Sequence, residues 1–186
     1  MTQAQRKTAL ALARESIRTY LDSGAYITYP DESPFNEEGA AFVTLHTRPG
    51  HQLRGCIGSI IAHRPLGEDI VRHAVDAAVG DPRFPAMEAE ELERVGIEIS
   101  ILSAPRPLEY AHSDDLLAKL RPGIDGVVIR YGGNGATYLP TVWEQIPDPK
   151  LFMEYLCQKA GLPATFYTTG KLSVLIYESE VFSEEE

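Results

Sequence analysis

At 186 residues with 44% hydrophobic side chains, the chain is long enough to bury a real core and fits one domain. Its 27 acidic residues against 17 basic ones give a net charge of -10, which argues against a nucleic-acid backbone or an anionic membrane as its partner. Two cysteines, Cys56 and Cys157, form neither a C-x-x-C pair nor a disulfide framework, and no apolar run approaches the roughly 20 residues of a membrane span.

The N-terminus is charged and alanine-rich and lacks the apolar core and cleavage site of a secretory signal, so the expected location is the cytoplasm, with reduced thiols. Thr2 can cap a helix, with Gln5 in the reciprocal capping-box position. Leu10, Ala13, Ile17, Tyr20 and Leu21 then recur at helical spacing, which predicts a helix over 3–21 stopped by Asp22-Ser23-Gly24. Residues 30–39, with two prolines, four acidic residues and a glycine, read as a loop.

Residues 41–46 read as a strand, Arg48-Pro49-Gly50 as its turn and 52–60 as the returning strand of a hairpin. On a regular strand Leu53 and Ile57 share one face while Arg54 and Cys56 share the other, with Cβ atoms ~7 Å apart. Pro65 suits a first helical turn, Leu66, Ile70, Ala74 and Ala78 supply an apolar stripe, and Gly80 ends it. The prolines of Asp81-Pro82-Arg83-Phe84-Pro85 exclude regular structure and leave a rigid loop.

Val95, Ile97, Ile99 and Ile101 alternate with Glu98 and Ser100, a strand pattern. Ser113 is expected to cap a short helix through Leu120, and a turn at 123–126 leads into a strand over 127–131. Gly132-Gly133-Asn134-Gly135 reverses it into a second strand over 136–139. Asp148-Pro149 opens a helix that Gly161 and Pro163 close, with Leu151, Phe152, Tyr155 and Leu156 on its buried side. Residues 171–182 form the last strand. Hairpins mixed with helices predict an α+β fold, a mainly antiparallel sheet with flanking helices, without repeats or a clear linker. The closing Glu184-Glu185-Glu186 reads as a solvated, frayed tail.

The functional signal is concentrated in Leu53-Arg54-Gly55-Cys56-Ile57-Gly58-Ser59. Gly55 and Gly58 clear space around the Cys56 thiol, and a thiolate there can serve as nucleophile or covalent carrier. A neutral thiol can be a soft contact for a small molecule, or simply a small buried apolar residue. Arg54 can hold an anion or favour the thiolate, or be a surface arginine. Asp81 and Arg83 can pair to lock their loop, or Arg83 can reach toward Cys56 and bind carboxylate or phosphate. Glu98 and Ser100 can line a pocket as base and hydrogen-bond donor, or merely face water. Asp125 reads as a turn former and Cys157 as packing.

The five histidines do not make a metal site by spacing. His51 and Cys56 would face opposite ways on a strand, and His63 and His73 can meet only through the fold. Gly132-Gly133-Asn134-Gly135 leads into a strand rather than a helix, so it is not a dinucleotide loop. No metal and no cofactor is expected.

LRGCIG followed by D-x-R-F-P resembles the AMMECR-domain family, also called protein A of the AmmeMemoRadiSam system. Further motifs in order are similar to that family's: Glu98-Ile99-Ser100-Ile101-Leu102, Gly123-Ile124-Asp125-Gly126-Val127, Leu139-Pro140, and the stretch FMEYLCQKAGLP that begins at Phe152. The likeness covers nearly the whole chain. Thr137-Tyr138 and Phe166 depart from the more apolar pair and the tryptophan usual at those places. The resemblance implies a single AMMECR domain over 1–186 made of two unequal lobes with a cleft between them. It also implies association with MEMO-type proteins and radical-SAM enzymes. It implies no reaction, and the C-x3-C-x2-C run of a radical-SAM cluster is missing, so any radical chemistry belongs to a partner.

Two readings follow. In one, Cys56, Arg54 and Glu98 form a catalytic centre, with Gly55, Gly58, Arg83 and Ser100 lining the place where a small molecule or peptide binds. In the other, the chain is a non-catalytic binding or adaptor module and LRGCIG is structural. Nucleic-acid binding is a third reading that the acidic balance disfavours.

Overall fold

Helix α1 (Gln3–Ser23) starts on the expected capping box, in a computed structural model that describes residues 1–184. The Thr2 hydroxyl accepts from the Gln5 amide at 3.3 Å, and the Gln5 side chain accepts from the Thr2 amide at 2.8 Å. Gly24, at φ +71°, takes the left-handed conformation that closes the helix. The chain divides into two compact units: Met1–Leu102 together with the chain from Glu180 onward, and Ser103–Ser179.

The first unit contains strands β1 (Ala40–Thr47), β2 (Leu53–Gly58), β3 (Val95–Leu102) and β8 (Ser179–Ser183), in the order β2-β1-β3-β8. β1 runs antiparallel to both β2 and β3. Helices α1 and α2 (Leu66–Val79) cover one face of this sheet. Ala13 and Ile17 of α1, Ile70 and Ala74 of α2, and Val43, Leu45, Ile97 and Ile99 of the sheet form one buried cluster. Alternation along each strand then turns Thr44, Glu98 and Ser100 to the opposite face. The loop over 30–39 contributes Phe35 to this core, which a reading of that stretch by composition does not reveal.

The second unit contains β4 (Arg106–Pro107), α3 (Ser113–Lys119), β5 (Gly126–Tyr131), β6 (Asn134–Tyr138), α4 (Pro149–Lys159) and β7 (Ser173–Tyr177). Its sheet order is β4-β7-β5-β6, with antiparallel neighbours. Trp143 stacks on Phe152 with ring centroids 3.7 Å apart, and its indole N–H donates to the Asp125 carbonyl at 2.7 Å. Asp125 is fully buried; its carboxylate accepts from the Arg121 amide and pairs with the Arg121 guanidinium, which closes the turn before β5. The α+β class with antiparallel sheets and flanking helices is therefore the architecture found.

Several expectations need correction. The strand expected over 171–182 is two strands, β7 and β8, that belong to different sheets, because the chain leaves one unit for the other after Ser179. The cap of α3 is His112, whose Nδ1 accepts from the Asp115 amide at 3.3 Å, one residue ahead of Ser113. On α4 the buried residues are Phe152, Met153, Leu156 and Cys157, while Leu151 and Tyr155 are exposed. The solvated tail fails at Glu184, whose carboxylate pairs with Arg14 at 2.5 Å and accepts from the Ile97 amide. Glu185 and Glu186 lie outside the described residues. Among those residues, no helix is long and apolar enough to cross a membrane.

Candidate functional site

β2 is an edge strand, and Cys56 sits in its middle. The register pairs Cys56 with Thr44 and Thr44 with Glu98, so these three side chains form one row across β2, β1 and β3. The row faces away from the helices. The Thr44 hydroxyl donates to the Cys56 sulfur at 3.2 Å. Gly58, Phe42 and Ser100 form the neighbouring row on that face. Cys56, Glu98 and Gly58 are half-buried there, whereas Thr44 and Ser100 are buried.

Arg54 does not share in this row as a regular strand would require. The register steps from Leu45↔Gly55 to His46↔Leu53, which leaves Arg54 unpaired in a β-bulge and turns Leu53 to the face of His46. Leu53 is consequently exposed while Ile57 packs on the core, so these two also lie on opposite faces. The Arg54 guanidinium runs to Glu91, at 2.5 Å and 3.0 Å, and donates to the Pro85 carbonyl at 3.0 Å. Its charge is spent on a carboxylate rather than on the thiol.

The Asp81-Pro82-Arg83 loop closes the open edge of β2 at Cys56. The Asp81 carboxylate accepts the Cys56 amide at 2.9 Å, and Arg83 donates to the Cys56 carbonyl at 3.2 Å. Asp81 and Arg83 are themselves paired at 2.6 Å. The two side chains thus supply the acceptor and donor that a further strand would supply: the pair locks its loop, and Arg83 reaches the Cys56 backbone. The glycines have packing reasons of their own. A Cβ on Gly55 would collide with the Ala77 carbonyl of α2, and one on Gly58 with the Phe42 ring.

Burial pushes the Cys56 thiol above its ordinary pKa; the Thr44 donor and the Arg83 charge oppose this without overcoming it, and Asp81 and Glu98 add to it. Cys56 is therefore mostly a neutral thiol near neutral pH. Cys157 is fully buried in the second unit, and burial raises its thiol too.

Sequence reasoning missed a grouping at the other end of the hairpin: it left His73 to the fold, took Ser59 only as the end of the motif and did not single out Asp69. Asp69 and His73, one turn apart on α2, meet Ser59, which follows β2. The Ser59 hydroxyl lies 3.1 Å from Asp69 Oδ1 and 3.4 Å from His73 Nε2, and His73 Nδ1 lies 3.2 Å from Asp69 Oδ2. The i, i+4 spacing of Asp69 and His73 was the available signal; nothing local tied it to Ser59. Among the described residues, no group of three or more His, Cys, Asp or Glu side chains is placed to hold a metal ion. A cavity of about 430 Å³ in the first unit is lined by Tyr26, Tyr29, Glu68 and Arg72, away from Cys56.

The AMMECR1 family model matches residues 10–182, which takes in both units and the whole of β2 and its edge loop. The chain belongs to the AMMECR1 family. It is 36% identical to protein MK0488 of Methanopyrus kandleri, over all of this chain and 91% of that one. It is 35% identical to protein MJ0810 of Methanocaldococcus jannaschii, over 96% of this chain and 89% of that one. The crystal structure of the uncharacterized protein PH0010 from Pyrococcus horikoshii matches with a TM-score of 0.88 at 33% identity, covering 95% of this chain and 90% of that one. In this AMMECR1-family chain, LRGCIG is the edge strand of the first sheet, and the loop from Asp81 to Pro85 caps it.

Proposed function

We propose that this AMMECR1-family chain is a binding component whose ligand, a small molecule or peptide segment, docks on the outer face of the first sheet around Cys56. The observation that carries this reading is the Cys56–Thr44–Glu98 row. It offers a neutral thiol, a hydroxyl and a carboxylate in register, on a strand whose backbone is fixed at Cys56 by Asp81 and Arg83. A neutral thiol and a hydroxyl suit non-covalent contact, and Glu98 favours a ligand group that donates a hydrogen bond or bears positive charge. Gly58, in the next row, extends the face, with the buried Ser100 beneath it. The family's association with MEMO-type and radical-SAM proteins supports a role beside such partners, any radical step being theirs.

One observation favours the second reading, with Cys56 as nucleophile or carrier: it is half-buried where Cys157 is fully buried. Cys56→Ser separates the two, because it keeps a small hydroxyl beside Thr44 and removes the sulfur nucleophile. In a strain deleted for the chromosomal gene, Cys56→Ser is expected to restore the phenotype as well as the unaltered chain does. Loss of complementation with an unchanged melting curve would assign thiol chemistry to Cys56 and overturn the binding reading.

A further inference from the structure

Ser59, His73 and Asp69 make no use of Cys56, and their arrangement goes beyond a binding role. We infer that they form a second, nucleophilic site in which Ser59 attacks carboxylic esters, His73 takes its proton and Asp69 holds the imidazole. Asp69 is fully buried and His73 is 7% exposed, whereas Ser59 is only half-buried, so the hydroxyl is the member of the set that solvent and a substrate can approach.

Asp69 is the anchor. Burial works to raise its pKa, but its contacts with His73, the Ala41 amide and Ser59 together hold it below the usual carboxylate value, so it stays charged. Its Oδ2 accepts the Ala41 amide at 2.9 Å, which fixes the carboxylate against the start of β1 with that oxygen 3.2 Å from His73 Nδ1. A carboxylate at Nδ1 selects the tautomer whose Nε2 bears a lone pair, and that nitrogen is the one 3.4 Å from the Ser59 hydroxyl. His73 Nδ1 lies off the hydrogen-bonding direction at 3.2 Å, and such contacts are commonly loose before substrate arrives. The Arg64 guanidinium, which donates to His63 Nε2 at 3.0 Å, lies 3.5 Å from Asp69 Oδ1, the carboxylate oxygen that accepts the Ser59 hydroxyl.

A purely structural staple between α2 and the hairpin needs only Asp69, which already binds the Ala41 amide and the Ser59 hydroxyl. It gives no reason for an imidazole nitrogen at the hydroxyl. In the step itself the Ser59 hydroxyl, which donates to Asp69 Oδ1 in the resting site, turns its hydrogen to His73 Nε2, 3.4 Å away; the Ser59 oxygen bonds to the acyl carbon and that proton passes to Nε2. The carbon–oxygen bond of the ester then breaks, and the alcohol leaves with that proton. Water, entering with His73 again as base, releases the acid and restores Ser59. Esters are favoured over amides because an alcohol leaves with less proton assistance than an amine.

A fluorophosphonate tests this directly, since Ser59 would displace fluoride and keep the phosphonyl group. The expected result is one adduct per folded chain, mapped to Ser59 by peptide mass, and none when the chain is unfolded in urea. His73→Gln should slow labelling by about a hundredfold or more while leaving the fold intact. The adduct is read at Ser59 and the complementation test at Cys56, so failure here and failure of the binding reading are distinguishable. Absence of a Ser59 adduct in the folded chain, or equal labelling of folded and urea-unfolded protein, would falsify the inference even if His73→Gln could not be folded. So would unchanged labelling of a folded His73→Gln chain.

Discussion

Asp81 shows how one side chain can hold a motif together. It is 4% exposed, yet it is charged, because Arg83 lies against it and the Cys56 and Arg83 amides both donate to it. Its carboxyl is held well below the usual carboxylate range, first by Arg83, against the opposing effect of its own burial, then by those two amides. A carboxyl with a depressed folded pKa contributes stability that is present above its unfolded value of about 3.9 and is lost as the pH falls through the folded value. The stability of the chain should therefore decline below about pH 4, and Asp81→Asn should flatten its share of that decline. At pH 7 the same substitution should lower stability by about 1–2 kcal/mol, since it leaves an acceptor for the Cys56 amide but removes the charge beside Arg83. Urea melts at pH 3 and pH 7 check both; an equal pH dependence in the two proteins would contradict the assignment. The two residues before the thiol are occupied in the same manner, Arg54 by Glu91 and Gly55 by the backbone of α2. The Cys56 sulfur is held more lightly, by the Thr44 hydroxyl at 3.2 Å.

At the scale of elements, the helices were legible and the ends of strands were not. Thr2, Gln5 and Gly24 bound α1 through contacts three or four residues apart, so local sequence is enough to place it. The bulge at Arg54 and the split between β7 and β8 depend on what a strand pairs with, and pairing is non-local. The face of α4 was half legible: helical spacing allowed two stripes, and the sheet of the second unit decided that Met153 and Cys157 go inside rather than Leu151 and Tyr155. Phe152 is common to both. Its ring stacks on Trp143, the single tryptophan of the chain, and contacts Tyr138 edge-on. Phe152→Ala should cost about 3–5 kcal/mol and alter the Trp143 fluorescence of the native state. A native spectrum unchanged in position and intensity would mean that the stacked pair is not formed.

On the scale of the whole molecule, the chain leaves the first unit after Leu102 and returns at Glu180, so the last strand completes a sheet begun by the first. The return is tied down at both termini of the described chain: the N-terminal amine pairs with Glu180 at 2.8 Å, and Glu184 with Arg14 at 2.5 Å. Phe182 joins the core of that unit. Truncation after Ser179 removes these together and exposes the edge of β3. Hydrogen exchange is expected to show lost protection of β3 amides, by a factor of about 100 or more for the roughly 3 kcal/mol that one large buried side chain represents. Undiminished protection would show that β8 contributes little.

The sequence by itself determined the family, the α+β class, most helix limits, and the importance of LRGCIG and the loop that follows α2. These are carried by capping residues, by periodicity and by motifs, all of which act over a few residues. Only the tertiary structure decided what the motif residues do. It turned Arg54 away to Glu91, set Cys56 in register with Thr44 and Glu98, and brought Ser59 to Asp69 and His73. Each of those outcomes depends on a strand register or a helix docking against a sheet, and neither is written in the spacing of neighbouring residues.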